Sequence, residues 1–334
     1  MLSSSRQTEV EEAAPEVTLT PESATTATTA DFVHVSGVRI RVSRQGTGGT
    51  RPLLLINGIG APLELWAPLR AALGIETIAF DAPGTGLSDS PTRPRSMWEL
   101  ATMVAALLDK LHCGDVDVLG YSWGGGLAQH LAAVRGAAVG RLILACTGWG
   151  FGSIPRDPSA LLHLMTPARY LSRGYLKRVG PNLYGGETRR QPSALAEQGR
   201  VRSTRPPTLR GYVNQLLAAG SWAMLPTLPL ISHETLILAG GEDPIMHTAN
   251  AHIMARLIPH STLHVFPQAG HLLLFDEAEA AAAVIKPFLA GDGTTEGRTG
   301  TDAAAEPGGA QVGRPLREDS VLARAPSDGI GDRN

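Results

Sequence analysis

Ser122, Asp243 and His271 are the residues whose types and placement could attack a carbonyl carbon. Residues 118–126 read Val-Leu-Gly-Tyr-Ser-Trp-Gly-Gly-Gly, with Gly-x-Ser-x-Gly running from Gly120 to Gly124. The mostly apolar Val116 to Leu119 leads in, and the helix-like Leu127 to Val134 leads out. That pattern predicts a strand, a sharp turn and a helix. At such an elbow the serine takes a strained backbone conformation, the flanking glycines let strand and helix approach, and the hydroxyl stands above the C-terminal edge of a parallel sheet. A plain tight turn would use the same glycines; the strand and helix on either side favour a nucleophile.

A nucleophilic serine needs a base, an acid to orient it, and donors for the oxyanion. Leu236 to Ala239 reads as a strand ending in Gly240-Gly241-Glu242-Asp243-Pro244. Asp243 is the expected acid, with Glu242 as its rival; both could instead merely solvate a loop. Leu263 to Phe266 reads as the next strand, followed by Gln268-Ala269-Gly270-His271. Of ten histidines, His271 stands out by its place in the order. Serine, then aspartate, then histidine is the chain order of the α/β-hydrolase arrangement. The oxyanion needs two backbone N–H groups. One is expected from Trp123. The other is expected from Ile59, in the loop Asn57-Gly58-Ile59-Gly60 that follows the strand Leu53 to Ile56. A bare hairpin turn is the alternative for Asn-Gly, but the segment after Gly60 looks helical. Many relatives of this fold carry His-Gly here, which leaves open what replaces that histidine side chain.

The elements needed to position these residues are legible. Phe32 to Ser43 suggests an opening hairpin around Ser36-Gly37, Ile75 to Phe80 a buried strand, Met97 to Leu111 a helix and Leu142 to Ala145 a further strand. Repeated β-α units imply a mostly parallel sheet flanked by helices. Asp81 precedes Ser122, the wrong order for the acid, and is expected to fix a loop. The pattern breaks over residues 150–230, too long for a loop, which predicts an inserted helical cap over the site. Thus residues 32–149 and 231–290 form the expected core, and 150–230 the cap. Residues 1–31 and 291–334, poor in large apolar side chains, are expected to be disordered tails.

The cap carries eleven Lys or Arg residues against three acids, a local excess of eight positive charges on a chain of net charge −2. A solvated helix face is one reading, and a surface meeting an anionic interface or partner is the other. Trp149, Phe151, Met165, Tyr170, Trp222 and Met224 are candidates for an apolar substrate passage, with cap core as the alternative. The global charge favours no nucleic acid. The two cysteines, Cys113 and Cys146, lack metal-ligand spacing and read as buried free thiols in a reducing cytoplasm. The N-terminus lacks the features of a targeting segment, and no apolar stretch reaches membrane-spanning length.

Three stretches resemble the intracellular poly(3-hydroxyalkanoate) depolymerases acting on medium-chain-length storage polyesters. They are Leu55 to Ala61 continuing to Leu65; Ser122-Trp123-Gly124-Gly125-Gly126-Leu127-Ala128-Gln129; and the cap motifs Pro167 to Tyr170, Tyr184-Gly185-Gly186, Arg190, Pro192, Gly211-Tyr212 and Gln215-Leu216. The likeness spans about Phe32 to Ala290. It implies nucleophile Ser122, acid Asp243 and base His271, a hydroxyacyl-enzyme, no metal and no organic cofactor. It also implies a cytoplasmic protein at the surface of polyester granules, in contact with the polymer or with granule-associated proteins. A small-molecule esterase, lactonase or carbon–carbon bond hydrolase would share every catalytic part. A haloperoxidase-like side reaction is open to the same residues. A non-catalytic binding protein of this fold would be marked by loss of one of the three, and none is lost. Serine at the elbow argues against dehalogenase or epoxide hydrolase chemistry.

Overall fold

Alternation of side chains across a twisted sheet explains the architecture. The computed structural model describes residues 30–47 and 51–291. Eight strands form one sheet: β1 (Ala30–Val35), β2 (Val38–Gln45), β3 (Leu53–Ile56), β4 (Thr77–Phe80), β5 (Val116–Tyr121), β6 (Val139–Ala145), β7 (Thr235–Gly240) and β8 (Ser261–Phe266). Their order is β1-β2-β4-β3-β5-β6-β7-β8. Only the β1–β2 and β2–β4 pairs are antiparallel. In the central strands odd and even residues go to opposite faces. Leu54, Ile56, Val118, Leu142, Leu144 and Ile237 enter one apolar cluster; Leu53, Leu55, Leu119, Ile143, Leu236 and Leu238 enter the other. Both faces are therefore covered, as parallel strands require. Each such fully buried Leu or Ile contributes about 1.5–3 kcal/mol.

The helices supply that cover. They are α1 (Ala67–Leu73), α2 (Met97–Lys110), α3 (Trp123–Arg135), α4 (Pro158–Leu164), α5 (Ala168–Leu171), α6 (Arg173–Tyr184), α7 (Gly186–Arg190), α8 (Pro192–Thr204), α9 (Leu209–Gly220), α10 (Thr248–Leu257), α11 (Leu273–Asp276) and α12 (Ala278–Ala290). Buried residues of α2, α3 and α10 join the first cluster; those of α1, α11 and α12 join the second. Six helices, α4 to α9, lie between β6 and β7, the stretch where the sequence pattern breaks. No helix among the described residues is long and apolar enough to cross a membrane.

Both expected tail boundaries shift. Ala30 and Asp31, inside the span expected to be disordered, pair with Ser43 and Val42 and complete the β1–β2 ladder. Gly291 caps α12 in the left-handed region, at φ 84°. The rest of both expected tails lies outside the described residues. At the end of β4, Asp81 accepts hydrogen bonds from Leu63 N (2.8 Å) and Leu87 N (2.9 Å), so it ties two loops together.

Candidate active site

The elbow forms because β5 and α3 meet with no room for side chains beside the serine. A Cβ at Gly120 would stand 2.5 Å from Gly124 O, and one at Gly124 2.2 Å from Ile56 O. Both obstacles are backbone, so neither position tolerates alanine without a shift. Between the two, Ser122 takes φ 54° and ψ −120°, a strained conformation for a residue with a side chain. Its Oγ lies 3.0 Å from His271 Nε2. His271 Nδ1 lies 2.7 Å from Asp243 Oδ2. A carboxylate can only accept, so Nδ1 carries the proton and Nε2 is left to accept from the serine hydroxyl.

Each member of this row is held. Asp243 Oδ1 accepts from Ile245 N (2.8 Å) and Met246 N (3.0 Å), fixing the carboxylate in the turn after β7. His271 N donates to Tyr184 O at the end of α6 (2.7 Å), and Tyr121 Oη donates to His271 O (2.9 Å). The histidine loop is thus clamped between the inserted helices and the nucleophile strand. Glu242, the rival acid, faces away and pairs with Arg190 (3.1 Å).

The oxyanion loop is built just as tightly. Asn57 shapes it from inside: its Oδ1 accepts from Gly58 N (2.9 Å), and its Nδ2 donates to Pro62 O (3.1 Å). The peptide after Ile59 is clamped at both ends. Tyr170 Oη donates to Ile59 O (2.6 Å), and Gly60 N donates to Gln215 Oε1 (2.8 Å). Trp123 is anchored through its indole N–H to Gln215 O (3.0 Å). The backbone N–H groups of Ile59 and Trp123 have no protein acceptor among the described residues. Gln215, on α9, therefore braces both sides of the expected oxyanion hole, a role its sequence position alone does not reveal.

A cavity opens on Ser122 and His271, lined also by Ile59, Tyr170, Tyr184 and Ile245. Of the six residues expected to line a passage, Tyr170 lines the cavity and the other five do not. Trp149, Trp222 and Met224 are buried in the apolar cluster with α3 (Trp222 lies where a Cβ on Gly126 would sit), while Phe151 and Met165 are 86% and 64% exposed. Apolar character put the two tryptophans and Met224 in the core, and the wall beside Tyr170 of α5 is completed by Leu164, beside Met165, and by Tyr184 of α6. The same wall includes Arg169 and Arg202, which are 2% and 3% exposed. Two of the eleven basic residues of the insertion are thus interior, whereas Arg173, Lys177 and Arg178 are exposed.

One further grouping could suggest a metal. Ligand atoms of Cys146, Asp243 and His271 lie within 4.8 Å of one another. The chemistry fits poorly. Burial pushes the Cys146 thiol well above its ordinary pKa, so the thiolate a metal needs is disfavoured, and His271 Nδ1 is engaged by Asp243.

A family model described as alpha/beta hydrolase fold matches residues 51–278. A poly(3-hydroxyalkanoate) depolymerase from Ectopseudomonas oleovorans is 40% identical over 261 residues, covering 77% of this chain and 91% of that protein. A 2-hydroxymuconate semialdehyde hydrolase from Pseudomonas putida is 30% identical over 278 residues, covering 77% and 93%. Among solved structures, an enol-lactonase from Burkholderia xenovorans LB400 superposes with a TM-score of 0.67 at 24% identity, covering 78% of this chain and 100% of that one, a likeness of fold.

Proposed function

Because the chain belongs to the alpha/beta hydrolase fold family and, within it, to the poly(3-hydroxyalkanoate) depolymerases, we propose that this ester hydrolase cleaves a stored poly(3-hydroxyalkanoate), of medium chain length, through Ser122, His271 and Asp243. The observation that carries the chemistry is the continuous row of hydrogen bonds from Ser122 Oγ through the imidazole to Asp243. His271 Nε2 takes the hydroxyl proton as Oγ attacks the ester carbonyl. Asp243 holds the tautomer and stabilises the imidazolium. The oxyanion is received by the N–H groups of Ile59 and Trp123. Collapse breaks the ester C–O bond, and His271 returns the proton to the leaving hydroxyl. Water, activated by the same imidazole, then releases the hydroxyacyl group from Ser122.

Polymer in a granule must be met at a surface in the cytoplasm. The inserted helices offer apolar side chains for this. Leu209, Val213 and Leu217 recur every fourth residue on α9 and are 67%, 42% and 55% exposed, and Leu162 and Leu171 are more than half exposed as well. Such a stripe suits an amorphous polyester better than scattered charges do. Arg190, by contrast, is engaged with Glu242 and with Gln268 O (2.9 Å), so it links insertion to core.

A second reading, a small-molecule esterase or lactonase, draws on the cavity that opens on Ser122 and His271. The two are separated by offering granules of medium- and short-chain polymer beside a soluble p-nitrophenyl ester and following acid release. Polyester hydrolysis predicts acid release from granules, faster with the medium-chain polymer. Turnover of the soluble ester alone would establish the second reading.

A further inference from the structure

The catalytic cavity contains two guanidinium groups that no carboxylate touches. Arg190 pairs with Glu187 and Glu242, Arg200 with Glu197, and Arg205 with Glu64. Arg169 and Arg202, the two that line the cavity, form no ion pair among the described residues. Both are nine-tenths or more buried, and a guanidinium cannot shed its proton to escape the penalty of burial.

Their surroundings are aromatic. Arg202 lies 5.3 Å from the ring centres of both Tyr170 and Tyr184, and Arg169 lies 4.7 Å from that of Tyr170 and 5.4 Å from that of Tyr212. Ring faces compensate a cation in part and leave its N–H groups unserved. Among the described residues Arg202 has one protein acceptor, Tyr170 Oη at 3.0 Å from Nη1. Arg169 donates to Tyr212 Oη, Thr166 O and Ile59 O. The Nε groups of both arginines and the hydroxyl of Tyr184, another residue of the wall, have no hydrogen-bond partner among the described residues. Asp276 feels the charge of Arg202 but makes no direct contact with it, and its oxygens accept from Thr188 Oγ1 and Gln198 Nε2. Two buried cations and a free hydroxyl on the wall of one cavity describe a receptor for an anion, and a carboxylate matches the planar fork of a guanidinium.

We propose that Arg202 and Arg169, with Tyr184, form a subsite that binds the free carboxylate at the acid end of a 3-hydroxyacyl chain. The identity of that chain rests on the polyester reading above. With the terminal carboxylate seated there, Ser122 Oγ bonds to the carbonyl carbon of the last ester link, and the C–O bond to the terminal unit breaks. The proton carried by His271 goes to the departing 3-hydroxyl oxygen, which leaves as a free 3-hydroxy acid. Water then cleaves the acyl-enzyme and gives the shortened chain a new carboxylate for the next turn. Cutting therefore proceeds from the acid end.

The full-length protein hydrolysing p-nitrophenyl butyrate is challenged with 3-hydroxyoctanoate and with its neutral methyl ester. The acid should compete at least about tenfold more tightly than the ester, the scale of a charge-assisted contact. Arg202→Gln should erase that ratio, and Arg202→Lys should retain part of it. Equal inhibition by acid and ester in the native protein overturns the subsite without recourse to any variant, as does a preference that survives Arg202→Gln. A second arm compares the linear 3-hydroxyoctanoate dimer as free acid and as methyl ester. Faster cleavage of the free acid supports cutting from the acid end, and equal cleavage overturns it while leaving the polyester reading intact. If neither the dimers nor medium-chain granules are cleaved although the acid inhibits through Arg202, the polyester reading fails and the anion subsite stands.

Discussion

Ser122 carries its conformational strain for a chemical end, and the strain can be measured. At φ 54° a serine is held in a region that glycine enters freely. Ser122→Gly should raise stability by about 1 kcal/mol, read as a higher thermal midpoint, while abolishing turnover. Ser122→Ala should lower kcat by about 10³-fold or more without that gain, because alanine remains strained. Asp243→Asn should lower kcat by about 10⁴-fold by favouring the wrong imidazole tautomer. Glu242→Gln should leave kcat close to native, since Glu242 meets Arg190 and not His271; the reverse pattern in steady-state kinetics would reassign the acid. That Ser122, Asp243 and His271 converge was legible, because strand-end positions in a parallel sheet face one edge whatever lies between them. Apart from Ile59 and Tyr170, the cavity wall was not. An apolar side chain announces that it will be buried but not where, so Trp149 and Trp222 went to the core. A count of charges likewise says nothing about which arginines are interior, as Arg169 and Arg202 are.

Helix α3 follows the nucleophile, and its stability has a pH dependence of its own. His130 is buried on α3, its Nδ1 2.7 Å from Gly126 O and its ring 5.0 Å from that of Trp98. Burial lowers its pKa from the ordinary 6.5, even though the bond to Gly126 opposes the shift. The unfolded chain therefore binds this proton more readily than the folded one. The penalty is absent well above pH 6.5, grows as pH falls through that value, and levels off below the folded pKa. His130→Gln should narrow the drop in thermal midpoint between pH 7.5 and about pH 5; an unchanged drop would place the acid sensitivity elsewhere. The inserted helices allow a separate test. Replacing Leu209, Val213 and Leu217 together by Gln should weaken sedimentation with polyester granules and spare hydrolysis of a soluble ester, because these side chains face outward. Equal loss on both substrates would show that α9 had shifted and released Gln215 from the oxyanion loop. Strand positions were legible from short continuous apolar runs, and in the opening hairpin from alternation, whereas the insertion was legible only as a break in the repeated β-α pattern. Three of its six helices (α4, α5 and α7) have seven residues or fewer, and several begin at or beside a proline or glycine, where periodicity has too few turns to register.

At the scale of the whole chain, the question is how much of it the fold requires. Composition placed the core between residues 32 and 290, and hydrogen bonding extends it slightly in both directions. Ala30 and Asp31 belong to β1, which covers the edge of β2, and Gly291 closes α12. Residues outside 30–291 hold few large apolar side chains from which to build a core contact. A truncated chain of residues 30–291 should therefore keep its thermal midpoint and hydrolyse p-nitrophenyl butyrate within about twofold of the full chain. Starting at Val38 instead removes β1 and with it the buried Val35, and leaves β2 as an open edge against water. Unpaired backbone groups on β2 would then be available to a second molecule, so this shorter chain should melt lower and aggregate on concentration. Both outcomes are read from a melting curve and from light scattering at two protein concentrations. A 30–291 chain that melted markedly lower than the full protein would mean that residues beyond the core carry stability that composition does not disclose.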